Sequence, residues 1–135
     1  MRVADIAVTA EESALYAAVV RALVTHLSTA VRQGRPAVEV PAELMRVAYW
    51  RAARDGLDGA GLDLFTGRLR PVADLVGDLV ATVEPVLRRQ DSHPQVIAGL
   101  DRLLADGTGA RRQRAAATGG GPAAVVDWLA EETTG

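Results

Sequence analysis

Two arginines separated by three positions follow a tryptophan in the run Tyr49-Trp50-Arg51-Ala52-Ala53-Arg54. On a helix this spacing sets both guanidinium groups on neighbouring sides of one surface, where they can grip a carboxylate or phosphate in forked geometry. The competing account is a solvated helix face with Trp50 as ordinary core. Arg111, Arg112 and Arg114 form the densest positive cluster, next to a helix start at Thr108 whose free amides also favour anions. Here the alternative is structural, with these arginines bridging to acidic residues elsewhere or facing water. Gly119-Gly120-Gly121 lacks the preceding strand and the lysine of a phosphate-wrapping loop, and reads as a flexible linker. His26 and His93 have no converging ligand pattern, and no acidic pair is spaced for general acid-base work. Neither a catalytic constellation nor a metal site is expected within this chain.

Composition removes further chemistries. All 15 basic residues are arginine, so there is no Schiff-base lysine and no P-loop lysine. Without cysteine there is no disulfide, thiolate nucleophile or cysteine-bound zinc, and a cytoplasmic location is the default expectation. A net charge of -2 supplies no electrostatic drive toward nucleic acid or an anionic membrane, and neither is expected as a partner. The start Met1-Arg2-Val3-Ala4-Asp5 has no signal-peptide pattern, and no apolar run is read as approaching the roughly 20 residues that span a bilayer.

The elements that would position these arginines are mostly helices. Arg2 to Val8 reads as a short strand, whose backbone would need a neighbour from the Leu62 to Leu69 region or from another polypeptide. Thr9 and Glu12 form a capping box before Leu15, Val19, Leu23, Leu27 and Val31, with Gly34 as the stop. A second helix opens at Pro41 and closes near Gly56, carrying the Trp50 motif in its second half. The segment Leu62 to Leu69 suits a small hairpin turning at Thr66-Gly67. Pro71 opens a third helix, which Pro85 is expected to kink or break. Ser92 with Gln95 caps a fourth that stops at Gly107, and two shorter helices flank the triple glycine. The fold class is mainly α: a single domain over 1–135, built as an open bundle of four to six helices with a short N-terminal strand and a small hairpin.

Taken together, the pieces resemble a known family. Arg2-x-x-Asp5, Trp50-Arg51-Ala52-Ala53-Arg54 running to Gly56-Leu57-Asp58, Gly67-Arg68, Gly109-Ala110-x-Arg112-Gln113-Arg114 and the Val125-Val126-Asp127-x-Leu129 tail are similar to the C-terminal region of the bacterial glutamate-cysteine ligase type 2, or carboxylate-amine ligase, family. The resemblance implies a glutamine-synthetase-like fold with magnesium held around ATP by acidic residues on earlier strands. It also implies a reaction that activates a glutamate side-chain carboxylate as an acyl phosphate, which an amine attacks. Arg2, Arg51 and Arg54 would lie nearest that site as anion binders, while the Arg112 and Arg114 cluster takes no role from the resemblance. The pattern departs in having Ala48 where many relatives carry asparagine, Ala117 where an aromatic is frequent, and no glutamate before Arg2.

A chain of this length is short for a whole ATP-dependent ligase. It admits three readings. One is the C-terminal portion of such a ligase, active only with a complementary nucleotide-binding chain. Another is a non-catalytic helical module that binds a partner or forms a homo-oligomer. The last and weakest is a small nucleic-acid binder. The ligase reading predicts an exposed apolar face and an unpaired strand edge.

Overall fold

The computed structural model describes residues 7–134. Its elements are α1 (Ala10–Arg32), α2 (Ala42–Asp55), β1 (Ala60–Leu62), β2 (Leu69–Pro71), α3 (Val72–Arg89), α4 (His93–Asp106) and α5 (Gly109–Thr134). The fold is mainly α, as the sequence predicts. Arg2 to Ile6 of the predicted opening strand lie outside the described residues, and Ala7 and Val8 lead into α1 without strand pairing.

The chain forms two compact units, one spanning Val19–His93 and the other combining the residues up to Ala18 with those from Pro94 onward. In the Val19–His93 unit the buried core comprises Ala22 of α1 and Val80, Val83, Val86 and Leu87 of α3. β1 packs on α2 and pairs antiparallel with β2, with Ala60 opposite Pro71 and Leu62 opposite Leu69. The hairpin therefore lies outward of the predicted Leu62 to Leu69 span: those two residues are its last pair and not its outer limits. One more backbone bond crosses beyond that pair, from the Asp63 amide to the Arg68 carbonyl at 2.9 Å, and the tip is then closed by the Asp63 carboxylate, which accepts the Phe65 amide at 2.9 Å and the Thr66 amide at 3.3 Å. Gly67, at φ 69°, takes the left-handed conformation that closes the turn.

Pro85 is expected from sequence to kink or break the third helix; α3 runs as one element from Val72 to Arg89, so the break does not occur. A proline inside a helix costs about 3 kcal/mol. Val83, Val86 and Leu87 are buried on either side of it, and each contributes roughly 1.5–3 kcal/mol. Burial outweighs the lost hydrogen bond. The Ser92 hydroxyl donates back to the Leu87 carbonyl at 3.4 Å, tying off the end of α3 immediately before α4.

In the other unit, the predicted box at the start of α1 is present. Thr9 Oγ1 accepts the Glu12 amide at 3.2 Å, while Glu12 Oε2 reaches back to the Val8 amide at 3.1 Å. Val96 of α4 is fully buried, and Gly99 faces Leu15 so closely that a Cβ there would lie 3.2 Å from its side chain. Thr108 Oγ1 accepts the Arg111 amide at 3.3 Å and opens α5. The triple glycine separates two helical stretches, as the sequence predicts, by a sharp break: Gly120 (φ −161°, ψ 18°) and Gly121 (φ 68°, ψ −161°) leave helical geometry before Pro122 starts the second stretch.

α1 overturns one expectation. Its 23 residues contain a window of mean hydropathy 1.4, which makes it long and apolar enough to cross a bilayer by length and composition. Alanines and threonines, interleaved among the valines and leucines, keep the run from looking continuous in the sequence.

Candidate functional site

Arg51 and Arg54 occupy the last turn and a half of α2, and the structure brings them together on one acidic neighbour. Arg51 donates from Nε to the Ala60 carbonyl at 2.9 Å and places Nη2 3.5 Å from Asp55 Oδ2. Arg54 donates from Nε to Asp55 Oδ1 at 2.7 Å and lies 4.5 Å over the Trp50 ring. Trp50 is 56% exposed, which sets aside the competing account of it as ordinary core. The ring is a surface platform for a cation. Arg51 is thus spent on holding β1 to α2, whereas Arg54 is exposed and keeps its two terminal nitrogens without a described partner.

Arg112 sits in a different setting. Its guanidinium bonds Glu12 of α1 through Nη2, approaches Glu132 at 3.4 Å through Nη1, and lies 5.6 Å from the centre of the Trp128 ring. Only 19% of the side chain is exposed, and Nε is buried without a hydrogen-bond partner among the described residues. This is the bridging arrangement that the sequence left as the alternative to anion docking. Arg114 is exposed, and Arg2 lies outside the described residues.

Around Arg112 opens a cleft of about 260 Å³ lined by Glu11, Glu12, Asp106 and Glu132 together with Arg102. Carboxylates outnumber guanidinium groups there, so an entering anion would compete with acids already in place. Among the described residues no three His, Asp or Glu side chains are grouped to hold a metal ion.

Asp63, which sequence reasoning passes over, is the one buried charged residue of the described chain. Besides the Phe65 and Thr66 amides, it faces Arg70 Nη1 at 3.4 Å, and the same nitrogen bonds Asp78 at 2.6 Å. The Phe65 amide, helped by Thr66 and Arg70, holds its carboxyl below the ordinary 3.8 against the opposing pull of desolvation. The signal in the sequence is Asp-x-x-Thr-Gly, an Asx-turn pattern. The clamp leaves Phe65 81% exposed at the hairpin tip.

Comparison with known proteins aligns this chain with part of larger relatives. The family model described as glutamate-cysteine ligase family 2 matches residues 1–127. A Salinispora tropica protein provisionally named glutamate-cysteine ligase 2 is 46% identical over 135 residues, which is 98% of this chain and 36% of that protein. Proteins provisionally named glutamate-cysteine ligase 2-2 give 44% identity in Mycobacterium sp. strain KMS and 45% in Frankia alni, covering 98% and 99% of this chain but 37% and 35% of theirs. The chain spans about a third of the length of these relatives. No solved structure matches it.

Proposed function

The chain belongs to glutamate-cysteine ligase family 2, and on that premise we propose that it is the C-terminal helical portion of an ATP-dependent carboxylate-amine ligase that joins an amine to the γ-carboxylate of glutamate. The observation that carries this is coverage: nearly all of this chain aligns with about a third of each relative. ATP and magnesium, implied by the family, would be held mainly by residues outside this chain. The complementary nucleotide-binding portion is the required partner, and the location is cytoplasmic.

Within this reading Arg54 is the described residue best fitted to an anionic group. Its guanidinium is oriented by Asp55 and Trp50 while its outer nitrogens remain available for forked bonding. Arg51 positions β1 and so steadies the surface from which Arg54 projects. Arg2 joins them as an anion binder on the strength of the motif alone. Arg112 and Arg114 are assigned no contact with substrate.

The test is to produce this chain together with the two-thirds of the Salinispora tropica relative that it does not match, and to measure amide formation from glutamate and an amine. Turnover that requires ATP and both polypeptides is the expected result. Turnover by either alone, or none by the pair, overturns the proposal. A second reading, a non-catalytic helical interaction module, is favoured by the internal neutralisation of Arg51 and Arg112. A stable homodimer whose pairing with the remaining polypeptide yields no amide would support it instead.

A further inference from the structure

α1 carries an apolar stripe that its own unit leaves uncovered. Val20, Val24, Leu27 and Val31 succeed one another at spacings of four, three and four, which aligns them along one face of the helix. Val24, Leu27 and Val31 are 57%, 53% and 74% exposed, whereas Ala22 on another side of α1 is fully buried. A shallow groove of about 400 Å³ runs along Val24, Leu27, Ser28 and Val31 as far as Arg32. Covering such residues is worth roughly 1.5–3 kcal/mol for each side chain fully buried. A row of this length at knobs-into-holes spacing fits a packed helix or sheet better than isolated contacts.

We propose that this stripe is the seat of the remaining two-thirds of the ligase polypeptide, an apolar face contributed by the portion that this chain does not contain. The inference rests on the ligase reading above and names where on this chain its partner docks. Two observations choose the occupant. The chain aligns along 98% of its length with a relative of which it spans only 36%, so nearly two-thirds of that relative lies outside the matched part. A bilayer is the poorer fit, because Arg21 lies in the middle of α1 between Glu12 and Arg32. Sinking it into hydrocarbon costs at least roughly 2.5–3.5 kcal/mol.

The chain contains no cysteine, so single thiols report on the stripe directly. L27C and V31C, with A115C on the exposed side of α5 as reference, are labelled with a maleimide in the chain alone and after co-production with the unmatched portion of the Salinispora tropica relative. In the assembled pair, labelling at positions 27 and 31 is expected to slow about tenfold or more while position 115 keeps its rate. The double variant V24E/L27E, at exposed positions where its own helix tolerates charge, is expected to reduce recovery of the pair about tenfold with an unchanged melting curve for the chain alone. The proposal is overturned if the stripe is protected in the chain alone, which assigns it to a second copy, or if phosphatidylcholine-phosphatidylglycerol vesicles protect it. It is equally overturned if no pair forms, or if a pair forms with both thiols fully reactive. An active pair with unprotected thiols would sink the docking site and leave the ligase reading standing. A protected but inactive pair would do the reverse.

Discussion

Among the described residues two arginine-tryptophan pairs form, and they are built in opposite ways. On α2, Arg54 meets Trp50 and Asp55 within six consecutive residues, so under two helical turns assemble the group, and Arg54 and Trp50 face water although the Asp55 carboxylate is largely covered. Around Arg112 the partners are Trp128, Glu132 and Glu12, the last separated from it by 100 positions, and the group exists only when α1 and both stretches of α5 have come together. The chemistry is nearly the same while the contact separation is not. A local, wet pair adds little to stability and is therefore free to meet a ligand. A remote, half-buried one reports on the fold itself, since removing one member strands charges that folding has already taken out of water.

That contrast can be broken at several points. R112A should have the largest effect, a loss of about 2–4 kcal/mol in denaturant unfolding, because Glu12 and Glu132 are left facing each other without their shared cation. A change below about 0.5 kcal/mol would erase the distinction. E12Q should cost roughly 1–2 kcal/mol, since the capping bond to Val8 survives in part while the charge on Arg112 loses one partner. R51A should cost about 1 kcal/mol and raise amide exchange in β1, because its Nε alone ties the Ala60 carbonyl to α2.

Acid should act locally at the hairpin. The Asp63 carboxyl is held below 3.8, so its contribution is fully present above the unfolded-state value and disappears as pH falls through the lower folded value. Amide exchange at Phe65 and Thr66 should therefore be flat from neutral pH to about 5, once corrected for intrinsic rates, and lose protection below about 4. D63N, which keeps one acceptor but no charge, should remove that pH dependence. R54A should change stability least, by about 0.5 kcal/mol. In the reconstituted ligase it should instead raise the KM for the anionic substrate, and a stability loss matching that of R112A would show that the two pairs are equivalent after all.

The helices are legible because their signals are local. The Thr9 and Glu12 box, Pro41 and Gly107 each specify an end from within one turn, and each end is where the sequence puts it. Pro85 does not break α3, because the rule for proline is local and the reason the helix continues is not: Val83, Val86 and Leu87 are held by packing that no neighbour in sequence announces. Trp50 leaves two accounts open in the sequence, since tryptophan is usually well covered, and only its exposure on α2 chooses the surface platform. The partners of Arg112 are unreadable for the same reason that they matter. Nothing in the run Arg111 to Arg114 points to a glutamate near the chain start. The tip of the hairpin is set by a side chain, Asp63, which takes the Phe65 and Thr66 amides while its own amide bonds the Arg68 carbonyl across the strands.

The glycine break in α5 sets the reach of that charge group. Twenty residues of unbroken helix would hold positions 112 and 132 about 30 Å apart. Arg112 and Glu132 are 3.4 Å apart, so the chain doubles back at Gly120 and Gly121, and the two stretches lie side by side as a helical hairpin. Each residue added to a helical stretch beside the break would rotate the downstream stretch by about 100° about its own axis and carry Trp128 and Glu132 off the face that meets Arg112. Loop length at this single point is therefore a constraint as strict as the identity of the charged residues it brings together.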